Sequence, residues 1–362
     1  MKPTLLLVTC WLICSGIFAQ KQKSENIVVI TLDGYRWQEL FTGADSLLSF
    51  DTTARYNTEY IRKKFWSNSP AERRQKLMPF LWSELSKRGV LLGNRNAHNY
   101  VNNANPYWFS YPGYNEIFTG YPDTAVHSND KIPNPNENLF EYLGKLPAFK
   151  GKAAVVASWD VFASIFNEKR SGVFVNDGFR NVPGKLTDKQ VLFNKLQHEL
   201  PDLFHGPAER LDVATFNIGL EYMKVNKPRL MYFGFGDTDE FAHAGLYDYY
   251  LDAACKTDGW IRQIWAYIQA DPFYAGKTTL IITTDHGRGA AFNGEWTSHG
   301  AKINGADQIW IAAIGASVLP SGESKKQTQI HQGQIAATIG TMLGIEFKPS
   351  HPVLPPFSIH DK

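Results

Sequence analysis

The sequence predicts an α/β fold, a doubly wound, mostly parallel central sheet with helices on both faces. Two observations carry this. Short apolar runs rich in β-branched residues recur at residues 27–32, 152–158, 229–235, 279–284 and 308–314, and a continuous apolar run of that length suits a strand buried on both faces. Stretches with helical spacing lie between them, at 77–88, 139–146, 189–200, 209–224, 247–268 and 332–343. Strand alternating with helix is the pattern that winds a parallel sheet. In order along the chain, Ile27-Val28-Val29-Ile30-Thr31-Leu32 stops at the turn Asp33-Gly34. Residues 123–136 form a loop punctuated by Pro133-Asn134-Pro135-Asn136. The 247–268 stretch has helical spacing, with Asp248 and Asp252 on a solvated face. No internal repeat, low-complexity tract or linker divides the chain.

At 362 residues, 43% hydrophobic and 20% charged, the chain is neither a disordered tail nor a collagen-like rod. Its net charge of +2 gives no field that would recruit nucleic acid or an acidic membrane. Residues 1–19 read as a secretory signal peptide and residues 20–362 as one domain. Lys2 supplies the positive start, residues 5–19 are uncharged and mostly apolar, and Phe18-Ala19-Gln20 offers the cleavage point. Ile17 is larger than the residue preferred three places before a cut, so an uncleaved anchor is the alternative. The apolar run is too short to span a bilayer, and no later stretch reaches that length. The mature chain reads as exported, periplasmic or extracellular, with no membrane span. Cys10 and Cys14 leave with the leader, and only Cys255 remains. There is then no internal disulfide and no cysteine cluster, so any metal is held by nitrogen and oxygen.

In an open parallel sheet, ligands gather at the carboxyl ends of the strands. Asp33 closes the first strand, Asp237-Thr238-Asp239 follows the strand at 229–235, and Asp285-His286 follows the strand at 279–284. Asp239 and His243, four apart, share one face of a helical turn. Asp237 reads as a support for its neighbours or as a turn residue. Taken singly, each of these motifs is also an ordinary surface or turn sequence; taken singly, Ser110, just before Pro112, reads as a helix N-cap.

The ordered set resembles a known family. Thr31-Leu32-Asp33-Gly34, Ser110-Tyr111-Pro112-Gly113-Tyr114-Asn115-Glu116-Ile117-Phe118-Thr119-Gly120, Thr238-Asp239 with His243, Thr284-Asp285-His286-Gly287 and His299-Gly300 look like the motifs of the alkaline phosphatase superfamily. The similarity is greatest to the nucleotide pyrophosphatase/phosphodiesterases and related single-domain bacterial phosphatases. The resemblance implies two divalent metal ions, best matched by zinc. One is held by Asp239, His243 and His299, the other by Asp33, Asp285 and His286 with the oxygen of Ser110. It also makes Ser110 the nucleophile, placed before a helix N-terminus whose N–H groups favour an anion. Two divalent ions, three carboxylates and one alkoxide then leave the site near neutrality.

The chain departs from that pattern in two places. The phosphodiesterase-like relatives usually carry threonine where Ser110 stands and histidine where Tyr114 stands. Sulfatase relatives need Cys/Ser-x-Pro-x-Arg, and Ser110-Tyr111-Pro112-Gly113-Tyr114 lacks that arginine. Too few residues lie between Ser110 and Asp239 for the large inserted domain of cofactor-independent phosphoglycerate mutase. Four side chains are candidates to clamp substrate: Asn129, Lys131, Arg36 and Arg288. The aromatics Tyr107, Trp108, Phe109, Tyr111, Tyr114 and Trp296 form either core or a wall for an organic leaving group.

The reading is therefore an exported two-metal phosphoesterase, acting on a small phosphorylated organic substrate, monoester or diester, through a phosphoseryl intermediate. The alternatives are a sulfate-ester or phosphonate hydrolase on the same scaffold, and a non-catalytic binding protein that kept the fold. No motif encodes the oligomeric state.

Overall fold

The run Ile27-Val28-Val29-Ile30 becomes the middle of a sheet because both of its faces are apolar. In the computed structural model, which describes residues 23–201 and 208–359, the chain forms strands β1 (Asn26–Leu32), β2 (Gly89–Leu92), β3 (Asn99–Asn102), β4 (Ala153–Ala157), β5 (Phe174–Asp177), β6 (Leu230–Phe235), β7 (Thr278–Thr283), β8 (Gln308–Ile309), β9 (Ile311–Gly315), β10 (Gly322–Glu323) and β11 (Thr328–His331). Eight of them pair in the order β10-β2-β9-β7-β1-β6-β4-β5, and β11-β3-β8 make a small second sheet. The large sheet is parallel except at β9, which runs antiparallel to both β7 and β2.

Alternation in β1 sends its side chains to two separate cores. Val28, Ile30 and Leu32 pack with the long helix Tyr247–Ala270 and with Leu40, Phe41 and Leu77. Ile27 and Val29 pack on the other face with Ile117 and Phe118 of the helix Ser110–Thr119 and with Ile335 and Ile339 of the helix Gln334–Leu343. This is the helix-on-both-faces architecture the sequence predicts. The candidate signal peptide at 1–19 lies outside the described residues. Among the described residues no helix is long and apolar enough to cross a membrane.

The structure corrects the sequence reading in three places. The run at 308–314 is two strands in different sheets. Trp310, fully buried, breaks it by turning its indole N–H to the carbonyl of Tyr35 at 2.8 Å. The helix expected at 77–88 is cut by Pro79. The chain is helical over Pro70–Leu77 and resumes as a π-helical turn over Leu81–Leu85. The restart is capped from a distance, since the Asp258 carboxylate accepts the N–H groups of Phe80 at 2.7 Å and Leu81 at 2.9 Å. Asp248 and Asp252 do not face solvent freely. Asp248 accepts the Asn57 N–H, and Asp252 holds the Tyr60 hydroxyl and Lys64, which seats the helix Thr58–Phe65 on the long helix.

Burial pushes the Asp258 carboxyl up to about 6, against the pull of its two backbone hydrogen bonds. A folded-state pKa above the unfolded value means that the folded chain binds the extra proton, so stability drains as pH rises from about 4 to about 6. Asp258→Asn keeps an acceptor and carries no charge, and should abolish that part of the pH dependence in urea unfolding. Asp258→Ala should instead cost about 1–2 kcal/mol at neutral pH through the lost cap.

Candidate active site

Three adjacent strands place the site. In the parallel register Thr31 lies beside Gly234 of β6 and beside Thr283 of β7, so the residues after β1, β6 and β7 leave the sheet side by side. Asp33, Asp239 and Asp285 therefore meet at its carboxyl edge, at the middle strand of the three. Asp33, Asp285 and His286 form one group and Asp239, His243 and His299 another, with the candidate ligand atoms of each group within 4.8 Å of one another. His286 Nε2 stands 3.3 Å from Asp33 Oδ1 and 3.4 Å from Asp285 Oδ2. In the second group His243 Nε2 is 3.0 Å from Asp239 Oδ2 and 3.0 Å from His299 Nε2.

These donor sets fit cations. His286 Nδ1 sits 2.9 Å from the Gly287 carbonyl, which only accepts, so Nδ1 donates there and Nε2 is the nitrogen turned toward the two carboxylates. Asp33 Oδ1, Asp285 Oδ2 and His299 Nδ1 are buried without a hydrogen-bond partner. Burial, and then the charge of Asp239 on Asp33 and of Asp33 on Asp285, hold both carboxyls well above the usual range. Burial, and then the neighbouring His286, push His299 down to about 2, leaving a neutral imidazole. Carboxylates and neutral imidazoles with idle lone pairs are what a zinc-type cation takes up.

Ser110 is brought to the first group. Its Oγ lies 3.4 Å from His286 Nε2, in the first turn of the helix Ser110–Thr119. Gly113 sets that approach. A Cβ there would stand 2.4 Å from the Asp285 carbonyl oxygen, so the helix rides directly on the Asp285-His286 turn. Glu116, a turn further on, is fully buried and anchors the segment before the helix. Its carboxylate accepts the N–H groups of Ala104, Asn105 and Gly333 and the Asn105 side-chain amide, at 2.8–2.9 Å. Asn105 in turn accepts from the Tyr107 and Trp108 N–H groups, and Trp108 takes a left-handed φ of 53°, rare for a residue with a side chain.

The clamp candidates divide. Asn129 is beside the nucleophile, its Oδ1 accepting the Tyr111 N–H at 3.0 Å. Arg36 is committed elsewhere, buried against Glu39 with a bond to the Gly289 carbonyl at 2.9 Å. Lys131 pairs with Asp160. Arg288 is fully buried, and its Nη2 donates to both the side chain and the carbonyl of Asp239. Burial alone would raise the Asp239 pKa, but Arg288 and the His243 hydrogen bond hold it well below the usual range. Of the aromatic crowd, Tyr111, Tyr114 and Trp296 are buried, Trp296 among the rings of Tyr56, Tyr247 and Tyr250. Tyr107, Trp108 and Phe109 are half-buried beside Ser110.

Several further residues hold the candidate ligands in position. Tyr114 donates its hydroxyl to Asp33 Oδ2 at 2.8 Å. Thr238 donates to the Asp33 carbonyl, and the side-chain amides of Asn103 and Gln332 both donate to the Asp285 carbonyl. Asp237 accepts the Asp212 N–H at 3.0 Å and thereby supports the turn before Asp239. Of these, the sequence singles out Tyr114, where relatives carry histidine, and Asp237, as a support for its neighbours or a turn residue.

No protein-family model and no curated protein matches the sequence. Solved structures do. The alkaline phosphatase PafA matches with a TM-score of 0.61 at 12% identity, over 93% of this chain and 99% of that one. A putative sulfatase from Bacteroides thetaiotaomicron gives 0.56 at 12% identity, over 93% and 74%. A protein of the alkaline phosphatase superfamily from Vibrio parahaemolyticus gives 0.50 at 12% identity, over 91% and 68%. The chain shares the fold of these proteins, that of the alkaline phosphatase PafA over nearly the whole of both chains.

Gly113→Ala should cost about 2–4 kcal/mol in urea unfolding, because the added methyl collides with main chain rather than with a movable side chain. Gly144→Ala, at a helix position with nothing within 4 Å of the new methyl, should be neutral or mildly stabilising.

Proposed function

We propose that this chain is a hydrolase of phosphoric esters, with Ser110 as nucleophile. In this reading Asp33, Asp285 and His286 hold one divalent cation and Asp239, His243 and His299 a second, zinc by the character of the donors. The observation that carries the reading is the placement of the Ser110 hydroxyl at the start of a ten-residue helix, 3.4 Å from His286 Nε2 and next to two unpaired carboxylate oxygens. When bound, the cations supply the Lewis acidity that lowers the hydroxyl pKa and offsets the charge of the ester.

The residues of the chain do the rest. The helix N-terminus favours the anionic phosphoryl group. Asn129 spends its oxygen on the Tyr111 N–H, which leaves its NH2 to donate to a phosphoryl oxygen. Ser110 Oγ forms the bond to phosphorus as the ester P–O bond breaks, and the leaving alcohol takes a proton. Water then attacks the phosphoserine, freeing the phosphoryl product and restoring the hydroxyl. Arg36, Lys131 and Arg288 are each paired with a carboxylate, so no cation among these three faces the extra charge of a monoester. That favours a diester, one of whose organic groups rests on Tyr107, Trp108 and Phe109. A phosphatase and a putative sulfatase share the fold, and the missing arginine after Pro112 is what favours phosphorus over sulfur. Its exported location is part of the same proposal.

The test is kcat/KM of the zinc-reconstituted chain on p-nitrophenyl phosphate, bis-p-nitrophenyl phosphate and p-nitrophenyl sulfate. We expect the diester to match or exceed the monoester, the sulfate to trail both, and Ser110→Ala to lose about 1,000-fold or more. An unimpaired Ser110→Ala, or silence on every ester with zinc bound, would overturn the proposal.

A further inference from the structure

We propose that Arg288 is a built-in counter-charge that makes the two cation positions unequal. The Asp33/Asp285/His286 position fills first and tightly, and the Asp239/His243/His299 position fills last and exchanges. The proposal rests on the reading that both groups hold divalent cations, and it goes beyond that reading by giving the site an order of assembly.

Arg288 is fully buried, and a guanidinium does not give up its proton in a protein. Its position is fixed from several sides. Nη2 donates to the Asp239 carbonyl at 3.1 Å and to Asp239 Oδ1. Gly34 supplies the space. With φ +57° and no side chain, it leaves a corner in which a Cβ would lie 2.5 Å from Asp239 Oδ1 and 2.8 Å from Arg288 Nε. Nε and Nη1 have no partner of their own. The ion pair of this buried charge is with Asp239, the sole carboxylate of the second group, and Asp33 of the first group feels it without pairing.

The charge count of the two groups then differs. With a cation bound, Asp33 and Asp285 give the first group two carboxylates and one imidazole, and among the described residues no Lys or Arg forms an ion pair with either, although the Arg288 charge is felt at Asp33. The second group has one negative charge, already matched by Arg288, and two imidazoles. Access differs in the same sense. The first group is buried throughout, whereas the His243 side chain is 43% exposed. A dication entering the first group meets net attraction and leaves slowly. One entering the second meets a fixed positive charge and an open route back to solvent. With the screening of a partly wet site, one uncompensated unit charge separates the two dissociation constants by about two orders of magnitude. Loading of the second position, and with it the activity, then follows the free metal concentration.

The experiment is a zinc titration of the metal-stripped, full chain by calorimetry, which reads binding without reference to turnover. We expect two steps separated by about 100-fold. Asp285→Asn should remove the tight step, and His243→Ala the weak one. Arg288→Gln keeps a donor to Asp239 but drops the charge, and should tighten the weak step by at least about tenfold. Arg288→Lys keeps the charge and should retain the separation. A single step in the unmodified chain would overturn the inference, as would Asp285→Asn removing the weak step. An Arg288→Gln chain with unchanged zinc constants and a raised KM would also overturn it, assigning the guanidinium to substrate instead. A chain that binds no zinc at all would overturn the two-cation reading beneath it, and these outcomes are distinct.

Discussion

Like charge crowded at one edge of the sheet is the constraint around which the molecule is arranged. Three parallel strands, β1, β6 and β7, deliver Asp33, Asp239 and Asp285 to neighbouring points because their register leaves no other place for them. Buried carboxylates at such spacing repel one another and lose their hydration. The chain answers in two ways. It pairs Asp239 with Arg288, and it sets the His286 imidazole against Asp33 and Asp285, each of which keeps one buried oxygen without a hydrogen-bond partner. Both answers need a rigid surround. That is supplied by Tyr114 and Thr238 on Asp33 and by Asn103 and Gln332 on the Asp285 carbonyl.

Much of this was legible in the sequence, for a physical reason. Strands buried on both faces must be apolar along their whole length, so β1, β4, β6 and β7 announced themselves as unbroken runs, and polar residues at their ends stood out. The ordered motifs named the residues that gather there. Short strands such as β2, β3 and β5, at four residues each, bury too little to leave a pattern. The split at Trp310 and the restart after Pro79 depend on partners more than a hundred residues away, Tyr35 and Asp258, which no local pattern contains. Arg36 and Lys131 were fair clamp candidates by position, yet Glu39 and Asp160 hold them. A cation near a motif shows nothing of which carboxylate will take it.

The nucleophile is placed by packing more than by hydrogen bonding. Its helix lies directly on the Asp285-His286 turn at Gly113, and behind it Glu116 gathers four donors from two separate stretches of chain. Ser110 itself bears little of this structural load. Its hydroxyl meets His286 at 3.4 Å, and its neighbours in the helix carry the fit.

That division has an evolutionary consequence. The position where bond-making happens and the position that sets its distance are three residues apart and make different demands on the chain. A hydroxyl-bearing residue of another kind can enter at 110 without disturbing the helix seat, whereas at 113 any side chain lifts the helix off the turn. A lineage built on this plan is free to vary its nucleophile, and so its chemistry, while the glycine beneath it stays locked. The marker by which distant members of such a lineage share ancestry is then the residue that does no chemistry at all.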